Sequence, residues 1–182
     1  MSGHGPHIEP HNKKIALLIA VLALVLAFSE TLGKAAQTSA LSYNVEASNL
    51  WSFFQAKTIR MTTMRTAAEA LEAQGLDSPA VRTQIDKWKA TAARYDSEPD
   101  TQEGRKELAA KAKATEARRD HAMAAYHHYE LASGAVQIAI VLASAMIITG
   151  MSVLGWLAVA GGLIGVAFSL IGFLAPTAFH LL

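Results

Sequence analysis

Seven histidines and no cysteine set the side-chain chemistry open to this chain of 182 residues. His4, His7 and His11 stand among Gly3, Gly5, Pro6 and Pro10, a spacing that could wrap a transition metal if the segment were ordered. A polar Gly- and Pro-containing stretch reads more simply as a solvated tail, and residues 1–14 are assigned as one. His121 and His128 lie one heptad apart, on one face of any helix, with His127 and Glu130 beside them. That group could hold a metal between copies or respond to pH. With Tyr126 and Tyr129 alongside, the plainer assignment is an amphipathic band at a lipid–water boundary. Neither set is expected to be a metal site.

The missing thiols remove disulfides, thiolate nucleophiles and Cys-based zinc or iron–sulfur centres together. No nucleophile-and-base pairing or paired carboxylate site is legible. Gly161, Gly162 and Gly165 fall inside an apolar run, where they serve packing and do not form a phosphate loop. No catalytic residue and no cofactor is therefore expected, and the chain is not read as an enzyme. The net charge of +1 comes from acidic and basic residues mixed along the chain, with no basic face, so nucleic acid is not an expected partner.

The elements that must position these residues follow from the hydropathy pattern. Apolar residues make up 52% of the chain and charged ones 17%, against roughly 25% charged in ordinary soluble domains. Every Lys, Arg, Asp and Glu lies at or before Glu130. The uncharged remainder, about 50 residues, is the length two membrane spans and a tight turn require. Residues 131–148 and 153–174 are assigned as a hairpin of two transmembrane helices joined by Thr149-Gly150-Met151-Ser152, with 175–182 as a C-terminal tail. A first span is assigned to residues 15–32. Its unbroken apolar run, Ile15 to Phe28, reaches only about 21 Å as helix. Lys13-Lys14, that run and Ala27-Phe28-Ser29 would also fit a secretory signal peptide. Retention is favoured because nothing breaks the helix through Leu32, and because Glu30 and Lys34 are spaced as an i,i+4 ion pair. No span carries a charge near its centre, the usual mark of a transport path.

Small residues recur every fourth position, at Ala135, Ala139 and Ala143 in the second span and at Gly161, Gly165 and Ser169 in the third. Such stripes let helix backbones approach closely in lipid. They are expected to pack the hairpin on itself; the alternative is that the glycine stripe mediates self-association.

Residues 33–130 are assigned as an extramembrane arm of three helices, about 33–74, 79–95 and 101–130. From Ala40 to Leu71 an alternating three- and four-residue spacing runs through Tyr43, Ala47, Leu50, Phe54, Lys57, Met61, Met64 and Ala68, interrupted by Lys57 alone. Four heptads of that spacing predict a coiled-coil seam. Gly75 supplies a left-handed cap, and Ser78-Pro79 an N-cap and first-turn proline. The second helix repeats the seam at Val81, Ile85, Trp88, Ala92 and Tyr95, and Asp100 with Glu103 resembles a capping box for the third. Helix lengths of about 63, 25 and 45 Å close only as an antiparallel hairpin with a broken return limb. Trp51, Phe53 and Phe54 spread over more circumference than one seam covers, so Trp51, Phe53, Phe54, Gln55 and Lys57 are assigned to partner binding.

At this stretch the chain resembles a family of bacterial membrane proteins grouped as domain-of-unknown-function family 4337. The matching residues are Gly33-Lys34-Ala35, Glu46-Ala47-Ser48-Asn49, Trp51-Ser52-Phe53-Phe54-Gln55-Ala56-Lys57 and Ile59-Arg60. The resemblance implies one N-terminal span, a helical arm and a C-terminal pair of spans in a bacterial inner membrane; it implies no activity. Lys34, Lys111, Lys113, Arg118 and Arg119 on the arm side outnumber Lys13 and Lys14, which favours a cytoplasmic arm. The expectation is thus an all-α membrane protein with an antiparallel coiled-coil arm. It would act as a scaffold or accessory subunit whose partners are membrane lipid and either copies of itself, as a homo-oligomer, or a larger membrane complex. The alternative is a small homo-oligomeric channel or transport component lined by Gln137, Ser144 and Thr149.

Overall fold

The computed structural model describes residues 10–75 and 78–178, with side chains from Lys13 onward. Four helices account for nearly all of them: α1 (Pro10–Ala73), α2 (Pro79–Asp96), α3 (Arg105–Thr149) and α4 (Ser152–Leu174), with no strand among the described residues. The chain divides into two compact units, one of Met1–Ala40 with Asp120–Leu182 and one of Leu41–Arg119. α1 and α3 each contribute to both. Three of the helices, α1, α3 and α4, are long and apolar enough to cross a membrane.

In the first unit, α1 meets α3 and α4 through two apolar clusters. Ile15 packs with Ala143, Met146 and Ala158, and Leu22 packs with Val136 and Ala139. Ile15, Leu22 and Ser29 are buried at seven-residue intervals, the period that holds one helix stripe against a neighbour. Gly150 ends α3 with a φ of +70°, a conformation a side chain would strain, and its N–H bonds Met146 O at 2.9 Å. Only Gly150 and Met151 separate α3 from α4.

In the second unit, every seam position of α1 from Tyr43 to Leu71 is buried or half-buried, including Ala47, Met61 and Ala68. Facing it are Ile85 and Ala92 of α2 and Leu108, Ala112 and Thr115 of α3, all buried. The pairing is antiparallel. Glu72 meets Lys89, Lys57 meets Tyr95, and Trp51 meets Glu116, so α1 numbers fall as the return limb's rise. Gly75 carries a φ of +66° after α1, and the hydroxyl of Ser78 accepts from Val81 N at 3.3 Å at the start of α2.

The return limb breaks later than the spacing of Asp100 and Glu103 suggests. α3 starts at Arg105, where sequence had placed the helix start near Thr101, and Glu107 is the acidic residue of its first turn. The carboxylate of Glu107 reaches back across the break, accepting from Ser97 Oγ at 2.6 Å and from Glu98 N at 3.1 Å. The carboxylate thereby ties the first turn of α3 to the segment that follows α2, using donors that a local box would not reach.

Candidate functional site

The residues singled out around Trp51 do not share one face. Trp51 and Phe54 are half-buried and Lys57 is buried, while Phe53 and Gln55 are exposed. Lys57 is placed inward by the seam's own spacing, so its ammonium must find partners inside the hairpin. It finds two ring faces, with Nζ 5.3 Å from the centroids of both Phe53 and Tyr95, and a carboxylate of Glu103 at 3.9 Å. An ammonium between two aromatic faces is held by their quadrupoles where water is scarce. Trp51 donates its indole N–H to Glu116 Oε1 at 2.8 Å and presents an edge to Phe54, with centroids 5.4 Å apart and planes at 83°. Arg105 lies over Phe54, 5.6 Å from its centroid, and its Nε is buried with no hydrogen-bond partner among the described residues.

This cluster contains cations, rings and carboxylates and can fix the register of the hairpin; it holds no nucleophile paired with a base. Tyr95, Arg105 and Glu116 complete it, and none of them is assigned to partner binding from sequence. Tyr95 had a signal, its place on the seam of α2. Arg105 and Glu116 had none, because their role depends on which residues of α1 the return limb reaches.

At the break of the return limb, charge is concentrated. Asp96 accepts from Lys106 at 2.9 Å and from Arg105 at 3.0 Å, and the Lys106 bond, followed by the two positive charges, holds its carboxyl below the usual range. The Ser97 hydroxyl does the same for Glu107. Farther out, hydrogen bonding to Glu72 raises the Lys89 ammonium above its ordinary value.

In the first unit the small-residue stripes are buried against each other. A Cβ added at Gly161 would stand 3.2 Å from Ala139 Cβ and 3.4 Å from Ala135 O, so its hydrogen is what lets α4 touch α3. At Gly165 it would collide with Val136 Cγ2 and lie 3.1 Å from Ala132 O. Ala139 and Ala143 are fully buried and Ala135 is half-buried. Ser169 meets α1: its hydroxyl is 2.8 Å from that of Ser29. Ser29 also donates to Val25 O at 2.9 Å, which uses its one proton, so Ser169 donates to Ser29. Gly162 against Leu22, a glycine that sequence already assigns to packing, and Gly172 against His128, which it does not, make the same kind of close approach.

The histidine group separates. His121 and His127 are exposed, with His127 Nδ1 3.8 Å from Glu130, whereas His128 is buried and stacks on Phe168 at 6.2 Å. Its Nε2 lies 3.1 Å from Pro176 O. A carbonyl only accepts, so Nε2 carries a proton, and Nδ1 is buried with no partner among the described residues. No group of three or more potential metal ligands occurs among the described residues. The side chains of His4, His7 and His11 lie outside them, as do Phe179–Leu182 of the C-terminal tail.

An open cleft of about 480 Å³ is lined by Ser29, Glu30, Gly33, Lys34 and Gln37 of α1 and by Tyr126, Tyr129, Glu130, Ser133, Gly134 and Gln137 of α3. Here Glu30 accepts from Gln137 Nε2 at 3.4 Å, and among the described residues it forms no ion pair with Lys34. The sequence spacing had suggested that pair, but the neighbouring helix offers a donor to the same carboxylate. Ser144 and Thr149 turn their hydroxyls to the carbonyls one turn back, Ile140 O and Ala145 O, at 2.8 and 2.9 Å.

A family described as a domain of unknown function, DUF4337, matches residues 11–175, which takes in all four helices but the first residue of α1. The chain belongs to the DUF4337 family. Within this DUF4337 chain the match covers the Lys57 cluster, both small-residue stripes and the cleft alike. A search of curated proteins and a search of solved structures each find no match.

Proposed function

We propose that this DUF4337 protein is a multi-pass protein of the bacterial inner membrane, acting as a coiled-coil scaffold or accessory subunit that associates with copies of itself or docks to a partner complex. One observation carries the membrane part. In the most apolar 18-residue windows of α1, α3 and α4, mean hydropathy is 2.5, 2.2 and 2.3, yet only 17%, 28% and 22% of the residues are buried within the fold. Leu17, Phe28, Val141, Trp156, Leu163 and Phe173 all face outward. Apolar surface on this scale is stable against lipid chains and not against water.

The scaffold part rests on what the second unit offers. It is a long helical hairpin whose polar groups serve its own register, and it keeps Phe53 and Gln55 exposed on different sides of α1. Lysines and arginines near the membrane on the arm side support a cytoplasmic arm. Crosslinking in native membranes followed by size analysis tests the reading, with extraction at alkaline pH as the check on membrane insertion. The expected result is a membrane-retained species larger than one copy. A strictly monomeric chain that co-purifies with nothing, or one released into the aqueous phase, would overturn it.

A further inference from the structure

The inner seam of α1 leaves the opposite side of the helix to be explained. There, a second alternating spacing runs through Leu41, Val45, Ser48, Ser52, Gln55, Ile59, Thr62 and Thr66, every one of them exposed. None is charged, and neither are Ser42, Asn49, Ala56 and Thr63, which flank them on one side. The outer face of a solvated helical hairpin is ordinarily charged, as α2 is with Arg82, Asp86, Lys87 and Lys89. Here three large aliphatic side chains stand in its place, Leu41 at 59%, Val45 at 60% and Ile59 at 67% exposure.

We propose that residues 41–66 of α1 pair with the same residues of a second copy as a parallel two-stranded coiled coil. This rests on the membrane-anchored reading above, and it names the partner and the surface. Taken as heptads, the face places Val45, Ser52, Ile59 and Thr66 at one core position and Leu41, Ser48, Gln55 and Thr62 at the other. Val45 and Ile59 at the first with Leu41 at the second follow the combination that favours two parallel strands, and the remaining core positions are small or polar. In a parallel pair each residue meets its own copy, and the face is neutral, so no like charges are opposed. Ser48, Ser52 and Gln55 can hydrogen-bond to their counterparts, and polar core layers of this kind fix register at a cost in affinity.

The face is about 39 Å long, close to four heptads. It ends where the next core position would be Glu69, which would set a carboxylate against its copy. Direction follows from α1 being one helix from Pro10 to Ala73. Copies that enter one membrane with the same end must leave it running the same way. Sharing a membrane also raises their effective concentration, which a half-polar core needs.

The absence of cysteine makes the test direct, because each introduced thiol is the only one in the chain. Full-length Leu41→Cys and Thr62→Cys probe the two ends of the face, and Glu46→Cys and Arg60→Cys probe an exposed side away from it. Each is expressed in native membranes and oxidised mildly. A disulfide needs Cα atoms about 4.4–6.8 Å apart. The expected result is a shift to twice the monomer mass at both Leu41 and Thr62 and none at Glu46 or Arg60. An antiparallel pair centred near Ser52 would link Ser52→Cys but neither end, and would overturn the proposal. So would linkage at all positions alike, or at none. Lysine-directed crosslinking of the unsubstituted chain separates the two readings. If larger species form while the thiol pattern fails, this face is wrong and the scaffold reading stands; if none forms, both fall.

Discussion

Replacing Lys57 with methionine removes the charge but keeps an unbranched side chain of similar length between the Phe53 and Tyr95 rings. Two ring contacts at 5.3 Å contribute about 1–4 kcal/mol together. The ion pair with Glu103 adds less than about 1 kcal/mol, since that carboxylate is 55% exposed and 3.9 Å away. Against these stands the cost of taking an ammonium out of water, several kcal/mol for a side chain only 8% exposed. The terms nearly cancel. Methionine keeps sulfur–aromatic contacts of about 0.3–1.5 kcal/mol and carries no such desolvation cost. Lys57→Met is therefore expected to stabilise the hairpin by about 1–2 kcal/mol, a rise in Tm of about 2–4 °C per kcal/mol. Lys57→Ala, which opens a cavity between the rings, should lose about 2–3 kcal/mol. Thermal and denaturant unfolding of the full chain in detergent, followed by circular dichroism, reads both. If Lys57→Met destabilises as much as Lys57→Ala, the ammonium itself holds the hairpin and the terms do not cancel.

Gly165→Val should weaken packing in the first unit by about 1–3 kcal/mol, because Ala132 O is backbone and cannot move aside; a lower unfolding temperature with unchanged helix content checks it. Ser29→Ala and Ser169→Ala should each cost about 0.6 kcal/mol and the double variant little more than either, which a double-mutant cycle measures. The carboxyls of Asp96 and Glu107 titrate lower folded than unfolded, so their contribution is complete above the unfolded values of about 4 and is lost as pH falls through the folded ones. Unfolding followed from neutral pH down to about 3 should show that loss, and Glu107→Gln should flatten the part due to Glu107.

The seam residues of α1 were legible because burial on a helix repeats with the helix's own period, and Ala47, Met61 and Ala68 turn inward where that period puts them. Gly75 and Ser78-Pro79 were legible because caps depend on the few residues around them. The start of α3 was not, since the hydroxyl and N–H that Glu107 accepts from belong to the end of another helix. The same holds for Glu30, whose partner Gln137 is more than a hundred positions away.

Sequence alone determined that this chain is helical, that three of its helices are apolar enough to cross a membrane, and which stripe of α1 is buried. Those properties follow from local composition and period, which neighbours in space do not alter. Only the tertiary structure decided that Lys57 sits between two rings, that Ser29 answers Ser169, and that His128 is buried while His127 is not. Each depends on which distant residue the chain brings alongside, and an ammonium or hydroxyl carries no sign in sequence of what it will meet.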